Sequence, residues 1–332
     1  MRAERIFPYG AAAGLAADLL VGDPRTGHPV AAFGRAAAAV ERRLWRDDRA
    51  RGAVHTAVCA GGAVAVAALA ARAVRRSPAA SVALTAAATW AVVGGTTLGR
   101  EARTVGAALA AGDIEAARRR LPHLCGRDPG ALDAQQLARA VVESVAENTS
   151  DAVVGALVWG AAAGVPGLVG FRAVNTLDAM VGHRSPRHLR YGWASARLDD
   201  VAGWPGARLT AALAALAGPD PAGALRSWRR DAARHPSPNA GPVEAAFAGA
   251  LGVRLGGTLA YGGRVEHRPE LNPGGRPVEH ADIDRAVRLS RRTGTLALAV
   301  CAGARLAAGA LLRRRARRSG AATGAAPEGR RG

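Results

Sequence analysis

The sequence contains no lysine: all 45 basic residues of the 332-residue chain are arginine. A Walker A phosphate loop needs a lysine at the β- and γ-phosphates, and pyridoxal phosphate needs one for its Schiff base. Both kinds of site are therefore excluded. Any phosphate that binds here must be held by arginine, by helix N-termini or by a metal ion.

Cysteine and aromatic residues are also scarce. Cys59, Cys125 and Cys301 form no CxxC pair, which argues against a disulfide framework and against a thiolate zinc site. Aromatic residues make up only 4% of the chain, whereas hydrophobic residues, chiefly alanine, make up 49%. We expect no cleavable secretory signal, because the first 22 residues contain Asp18 and lack a basic start followed by a long apolar core.

The formal net charge of +19 fits three interpretations. A nucleic-acid-binding protein would need a basic patch with aromatic or groove-reading elements. Here the arginine clusters flank apolar runs, which is typical of the ends of membrane helices. We therefore favour a membrane protein over a nucleic-acid-binding protein, with part of the arginine excess as solvated surface charge.

Several apolar stretches approach the roughly 20 helical residues that span a bilayer. They are residues 53–71, 79–98, 152–170, 201–217 and 294–312. The first two predict a helical hairpin, and the last is interrupted only by Arg305. The predicted fold is all-α and polytopic, with about four to five membrane-embedded helical segments. Because mean hydropathy is only +0.03, a soluble all-α enzyme with buried alanine-rich helices stays the alternative.

The domain organisation is simple. Residues 1–312 are predicted to form one membrane domain, and residues 313–332 a basic flexible tail. Asp113 is predicted to cap a short helix that ends with basic residues. Residues 256–269, "GGTLAYGGRVEHRP", are the best candidate for a short strand or loop.

Three carboxylates recur every four residues in "VVESVAENTSDAVVGALVWG", residues 141–160. Glu143, Glu147 and Asp151 share one face of an α-helix. Arg139, four residues before Glu143, offers an ordinary salt-bridge ladder. A divalent cation such as Mg²⁺, which takes oxygen ligands, is the alternative. From this stretch alone the salt-bridge interpretation is favoured.

More polar groups stand at the ends of apolar segments. They are Asp23 and His28 in "GDPRTGHPV", Arg172, Asn175 and Asp178 in "FRAVNTLDAMVGHR", Asp199 and Asp200 in "YGWASARLDD", and His235, Ser237, Asn239 and Glu244 in "HPSPNAGPVE". Each alone has a structural explanation, such as a turn, a helix cap or a hydrogen-bonded core histidine. Because polar groups at membrane depth are costly, their accumulation indicates a functional site.

In this order and spacing, "GDP…HPV", "GRDP…L…VVESVAENTSD", "FRAVNTLDAMVGHR", "YGWASARLDDVAGWPGARLTA" and "RRDAARHPSPNAGPVEAAFAGALGVRLGG" resemble the adenosylcobinamide-phosphate synthase family (CobD/CbiB) of cobalamin biosynthesis. The resemblance covers roughly residues 10–290. Ala152, "GAL" at 155–157 and "AGWPGARL" at 202–209 depart from the usual pattern without the loss of a carboxylate.

The resemblance implies a multi-pass enzyme of the cytoplasmic membrane that uses ATP and Mg²⁺. Such an enzyme joins the corrinoid adenosylcobyric acid to (R)-1-aminopropan-2-ol or its O-phosphate, and the product is adenosylcobinamide or its phosphate. By analogy with other ATP-dependent amide ligases, we expect an acyl-phosphate intermediate, with an acyl adenylate as the alternative. The expected partners are these small molecules and the lipid bilayer, with no nucleic acid. A homo-oligomer and an association with other cobalamin-assembly membrane enzymes are left open.

The resemblance also assigns candidate site residues. The catalytic candidates, one of which would deprotonate the incoming ammonium, are Glu143, Glu147, Asp199 and Asp200. The Mg²⁺ ligands would be Glu147, Asp151, Asp178 and Asp200. The candidates for binding substrate or nucleotide are Asp23, His28, Arg127, Asp128, Asn148, Arg172, Asn175, Arg208, His235, Ser237, Asn239 and Glu244. Since lysine is absent, the phosphate oxygens would fall to Arg127, Arg172 and Arg208.

One geometric prediction goes beyond the resemblance. A straight helix over 152–170 would place Asp151 and Arg172 roughly 30 Å apart, on opposite membrane faces. "AAAGVPG" in its middle favours a break. We therefore predict that 152–170 folds back as a re-entrant or short helical hairpin, which returns "RAVNTLD" to the side of "ESVAEN". Irregular backbone at that depth needs protein cover.

Two other function classes are carried as alternatives. A membrane transporter or cobamide-binding membrane subunit would use the intramembrane carboxylates as substrate or proton sites. Inverted repeats would favour that class, and the sequence shows none. A basic, helical nucleic-acid-binding protein would show steeply salt-dependent binding to DNA.

Overall fold

The computed structural model describes residues 1–24, 27–126, 128–130, 132–183, 185–261 and 264–323. Helices account for 79% of the chain, and within the described residues the sheet structure is one antiparallel hairpin. The prediction of an all-α, polytopic membrane fold is confirmed. In the same part of the chain, four helices are long and apolar enough to cross a membrane: Arg49–Val74, Pro78–Ala110, Ala134–Gly182 and His280–Ala316.

The elements follow one another with short connections. The helices are α1 (Ile6–Val21), α2 (Pro29–Leu44), α3 (Arg49–Val74), α4 (Pro78–Val92), α5 (Gly95–Ala110), α6 (Ile114–Arg120), α7 (Ala134–Thr149), α8 (Gly155–Leu177), α9 (Trp193–Ala217), α10 (Pro221–Asp231), α11 (Ala240–Leu251) and α12 (His280–Thr323). The strands are β1 (Leu255–Tyr261) and β2 (Arg264–Leu271). Five-residue π turns cover Ser150–Val154 and Asp178–Gly182, and 3₁₀ turns cover Ala3–Arg5, Leu121–His123 and Ala232–Arg234.

Acidic side chains determine where several helices begin. The Asp48 carboxylate accepts a hydrogen bond from the Arg51 amide at the start of α3. Asp113 accepts one from the Ala116 amide at the start of α6, which confirms the predicted cap. Such caps satisfy amide groups that have no partner inside the helix, and each stabilises a helix by about 1 kcal/mol.

The two helices of the predicted hairpin, α3 and α4, contact each other, but each has a larger interface with another helix. A short turn joins α3 to α4, but α4 packs chiefly against α1 and α3 chiefly against α8. Small residues explain this choice, because they let helix backbones approach closely. Gly10 and Gly14 of α1 lie directly against Thr85 and Thr89 of α4. The predicted segment 79–98 is also broken, since α4 ends at Val92 and α5 begins at Gly95.

Helix α8 folds back on itself at Gly164. This glycine has φ 67° and ψ −146°, far from helical values, and Pro166 starts the second arm. The first arm comprises residues 155–163 and continues from the π turn Ser150–Val154. Because the chain reverses at Gly164, Ala134–Gly182 is not one straight span, and the predicted fold-back is confirmed.

Contacts between the two arms show that they run antiparallel. Gly155 lies against the ring of Phe171, and Gly160 lies against the side chain of Leu168. As the residue number rises along the first arm, the number of the residue that it contacts in the second arm falls, which is the pattern of a hairpin. A side chain at either glycine would collide with the opposite arm, so the close approach of the arms depends on glycine at these points.

The predicted strand segment forms the β1–β2 hairpin, which is anchored to α7. The buried carboxylate of Glu143 accepts a hydrogen bond of 2.7 Å from the Gly256 amide. Gly256 lies where the pairing between Leu255 and Gly257 is irregular. Strand β2 is also tied to α10, because the Asn272 amide donates to the buried carboxylate of Asp231 over 2.9 Å.

Part of the segment predicted as a flexible tail is helical. Helix α12 continues without a break through Thr323, so residues 313–323 belong to it. Arginine and alanine dominate this stretch and are strong helix formers. Arg313 also pairs with Glu4 at the start of the chain. Residues 324–332 of the predicted tail lie outside the described residues.

The break at Gly164 can be tested by Gly164→Ala. Nothing lies within 4 Å of the position that a new side chain would occupy, so only the backbone conformation opposes the substitution. A residue with a Cβ in this region costs about 1–3 kcal/mol. We expect a lower apparent Tm for the detergent-purified protein, read by intrinsic fluorescence.

The matched control is Gly61→Ala in the middle of α3, where nothing lies within 4 Å either. There alanine replaces glycine in regular helix and should leave Tm unchanged or raise it. Equal Tm values for Gly164→Ala and the parent protein would contradict the fold-back at this residue.

Candidate active site

Polar side chains from α7, α8 and α9 meet where the two arms of the α8 hairpin end. Asn175, on the second arm, is central to this meeting point. Its amide nitrogen lies 3.3 Å from a carboxylate oxygen of Asp151 and 3.5 Å from one of Asp199. Asp151 lies 24 residues before Asn175 and Asp199 lies 24 residues after it, so two carboxylates far apart in the chain share one donor.

Five acidic residues interact electrostatically around this point, and we call them the carboxylate cluster: Glu147, Asp151, Asp178, Asp199 and Asp200. Asp151 and Asp178 both lie in π turns, which widen the helix and are frequent at functional sites. Glu147 is exposed, and the four aspartates are half-buried. The cluster therefore borders open space and could be reached by a ligand.

Asp199 lies outside the segments long and apolar enough to span a membrane. Burial, followed by the negative charge of Asp178, raises the pKa of Asp199 to about 7. Near neutral pH this carboxyl group can therefore exchange a proton readily. The pKa is raised because several negative charges share a site that is partly shielded from water.

Arg172 links the cluster to the loop between α1 and α2. One of its guanidinium nitrogens lies 3.4 Å from the Asn175 amide oxygen, and its charge interacts with Asp151 and Asp23. Asp23 lies 3.4 Å from the imidazole Nε2 of His28, whose Nδ1 accepts the Val30 amide and so caps α2. The predicted pair Asp23 and His28 is thus positioned beside Arg172.

The segment before α11, residues 235–239, is bonded to the part of α9 that carries Asp200. The Asn239 amide nitrogen donates to the carbonyl oxygen of Asp200 over 3.0 Å. Its amide oxygen accepts from Arg208 over 3.0 Å. The Ser237 hydroxyl accepts from the Asn239 and Ala240 amides, so it fixes the turn. These bonds hold α9 in the orientation that carries Asp200 to the cluster.

A buried pair, His235 and Glu244, supports the segment before α11. The imidazole Nε2 of His235 lies 3.8 Å from a carboxylate oxygen of Glu244, and both side chains are almost fully buried. The Ser237 amide donates to the other imidazole nitrogen. His235 and Glu244 therefore position the turn that carries Asn239.

A cleft of about 1030 Å³ opens next to the cluster and shares Asp200 with it. Two further predicted residues, Arg208 and His235, line the cleft. Sequence reasoning missed other charged, imidazole and indole side chains along it: Arg49, His183, His188, Arg190, Trp193, Arg197, Trp228 and Arg229. A signal for several of them was the crowding of Arg, His and Trp in "GHRSPRHLRYGW" between two helices.

Three predicted site residues have other placements. Glu143 lies at the contact between α7 and the β-hairpin, where Arg139 Nε is 3.9 Å from its carboxylate. For Glu143 the salt-bridge interpretation holds, because Arg139 and the Gly256 amide of the β-hairpin stabilise its negative charge. Asn148 donates to the Ser144 carbonyl over 2.9 Å, and Asp128 accepts the Gly130 amide within a turn. Arg127 lies outside the described residues.

The donor set of the cluster consists of carboxylate and amide oxygens. In the described part of the chain, no three His, Cys, Asp or Glu side chains are arranged to hold a metal ion. This does not conflict with Mg²⁺, which usually keeps several waters and takes one or two carboxylates together with substrate phosphates. The donors fit Mg²⁺ in its chemistry.

A family model described as "CobD/Cbib protein" matches residues 11–290. The chain belongs to the CobD/CbiB family. The match includes the carboxylate cluster, the α8 hairpin and the turn before α11. It ends within α12, so residues 291–323 of that helix lie beyond it.

Curated relatives agree with this membership. The chain is 55% identical over 299 residues to "Cobalamin biosynthesis protein CobD" of Mycobacterium tuberculosis, covering 88% of this chain and 94% of the relative. It is 43% identical over 304 residues to the protein of the same name from Chromobacterium violaceum, covering 89% and 95%. No solved structure matches the chain significantly.

The role of Asn175 as a neutral bridge can be tested by substitution. Asn175→Asp puts a further negative charge between Asp151 and Asp199, so we expect it to lower the apparent Tm in EDTA more than Asn175→Ala does. The alanine variant loses only the hydrogen bonds of the amide group, and a hydrogen bond to a charged partner contributes about 1.5–3 kcal/mol to stability. The like charge adds repulsion in a partly buried site. A smaller loss for aspartate than for alanine would contradict this geometry.

Proposed function

We propose that this protein is an ATP-dependent amide synthase of cobalamin biosynthesis in the cytoplasmic membrane. It joins adenosylcobyric acid to (R)-1-aminopropan-2-ol or its O-phosphate, and releases adenosylcobinamide or its phosphate. Membership of the CobD/CbiB family and the printed names of the relatives support the pathway. The observation that carries the reaction type is the carboxylate cluster beside an arginine-lined cleft, with Asp200 common to both.

The chemistry explains why such residues are needed. A carboxylate does not condense with an amine unaided, so its oxygen must first be made part of a leaving group. In the proposed route the substrate carboxylate attacks the γ-phosphorus of ATP, and ADP leaves. The amine nitrogen then attacks the acyl carbon, phosphate leaves, and the nitrogen loses a proton. The protein has to bring several anions together and accept that proton.

Arginine is suited to the first task. Arg49, Arg190, Arg208 and Arg229 line the cleft. The Nε of Arg172 is buried and, among the described residues, has no hydrogen-bond acceptor. A planar guanidinium group matches the geometry of phosphate and carboxylate oxygens. These side chains would bind the ATP phosphates and the anionic corrinoid, as the absence of lysine requires.

Oxygen donors are suited to Mg²⁺, which would be held by Glu147, Asp151, Asp178 and Asp200. When bound, the ion supplies positive charge that offsets the charge of the phosphates. Asp199, which is not among these ligands, fits the role of base because its carboxylate can take the ammonium proton. Asn175 keeps Asp151 and Asp199 at a fixed separation through its amide group.

The test is an assay of the detergent-purified protein with ATP, Mg²⁺, adenosylcobyric acid and aminopropanol or its phosphate. We expect the amide product and an equal amount of ADP, measured by mass spectrometry and nucleotide chromatography. AMP in place of ADP would contradict the acyl-phosphate route. Cobamide uptake into proteoliposomes without formation of the amide would instead support the transporter alternative.

Two isosteric variants test the cluster. Glu147→Gln and Asp200→Asn remove one negative charge each, and we expect kcat to fall by roughly 10²–10³-fold, as for the loss of other preorganised electrostatic groups. The matched control is Asp284→Asn on the exposed side of α12, where the carboxylate pairs only at the surface with Arg103. Full activity in either cluster variant would contradict its role.

A further inference from the structure

Arg305 interrupts the apolar part of α12 and contacts the tip of the α8 hairpin. One of its terminal guanidinium nitrogens lies 3.3 Å from the carbonyl oxygen of Ala161 and 3.5 Å from that of Ala162. Both carbonyls belong to the last turn before the break at Gly164. The proposed reaction assigns no task to Arg305, which also lies beyond the residues that the family model matches.

Contacts along α12 show how deep Arg305 lies. Gly294 packs against Val153 at the site end of the hairpin, and Arg313 pairs with Glu4 beyond its tip. Arg305 is therefore about 16 Å from the level of Gly294 and about 12 Å from that of Arg313. With a hydrocarbon core of about 30 Å, this depth lies well inside the membrane. A charged side chain there is costly and needs a partner.

The hairpin tip provides that partner because it leaves carbonyl groups without their helical donors. In a regular helix the Ala162 carbonyl would accept from residue 166, but Pro166 has no N–H group. The Ala161 carbonyl would accept from the Val165 amide, but the chain turns at Gly164 before reaching it. Water is absent from the bilayer core, so these carbonyls must find donors in the protein.

We propose that Arg305 is a positioning residue that caps the first arm of the α8 hairpin inside the membrane and thereby holds Asn175 beside Asp151. Its guanidinium group replaces the donors that Pro166 and the break remove. Its positive charge is favourable at the C-terminal end of a helix. The hydrogen bonds between Arg305 and the two carbonyls thus offset both the cost of burying the arginine and the cost of leaving the carbonyls unpaired.

Hydrogen–deuterium exchange of the protein in lipid nanodiscs tests this proposal without any assay of activity. In Arg305→Ala we expect amides of residues 157–168 to exchange about tenfold faster, since bonds to a charged donor are lost. Amides of residues 173–180, next to the carboxylate cluster, should also exchange faster. Arg305→Lys keeps a charged donor and should restore most of the protection, whereas Arg305→Gln should restore less.

The matched control is Arg292→Ala on the exposed face of the same helix, which should leave exchange in both segments unchanged. If Arg305→Ala fails to fold, the comparison of Arg305→Gln with Arg305→Lys decides. Wild-type exchange rates at 157–168 in Arg305→Ala or Arg305→Gln would overturn the cap. Faster exchange at the tip with unchanged exchange at 173–180 would overturn the link to the site.

A kinetic measurement adds a second readout, and only this part rests on the proposed function. In the amide-synthesis assay Arg305→Ala should lower kcat while the KM for ATP stays near its wild-type value, because the cleft residues are unaffected. A wild-type protein that makes no amide would overturn the proposed function alone. Unaltered kcat in an active Arg305→Ala protein would overturn the positioning role.

Discussion

The fold-back of α8 at Gly164 is the constraint on which the site depends. On a straight helix, Asp151 and Asn175 would be about 36 Å apart, and in the structure their side chains are 3.3 Å apart. The hairpin needs a residue that tolerates the backbone at the break, small residues where the arms touch, and donors for the carbonyls at the tip. Gly164, Gly155 and Arg305 meet these three needs.

The carboxylate cluster shows how neighbouring acidic residues divide into different roles. Glu143 and Glu147 are one helical turn apart, yet the first anchors a β-hairpin and the second lies at the edge of the cluster. The carboxylates of the cluster repel one another, and so do the arginines that line the cleft, so cations at the first and anions at the second would be favourable. The arrangement is therefore suited to bind a metal–phosphate complex, in which charges of both signs are balanced.

Local features were predictable because they depend on residues close together in the chain. The break in "AAAGVPG", the Asp113 cap, the strand segment and the return of "RAVNTLD" to the side of "ESVAEN" all followed from backbone preferences or helix geometry. The main packing partners of α3 and α4 were not predictable in this way, because a short turn indicates proximity in sequence while small-residue surfaces select packing partners. The tail was predicted from its charge, although its arginines and alanines favour helix.

The helical class, the absence of lysine-dependent phosphate sites, the position of the hairpin break and most of the side chains that meet at the cluster follow from the amino-acid sequence alone. Helix packing is needed to see that Glu143 faces the β-hairpin, that the loop before Trp193 lines the cleft, and that Arg305 reaches the Ala161 carbonyl. These contacts join residues far apart in the chain. Their partners are chosen by the packing of whole helices, which no local pattern encodes.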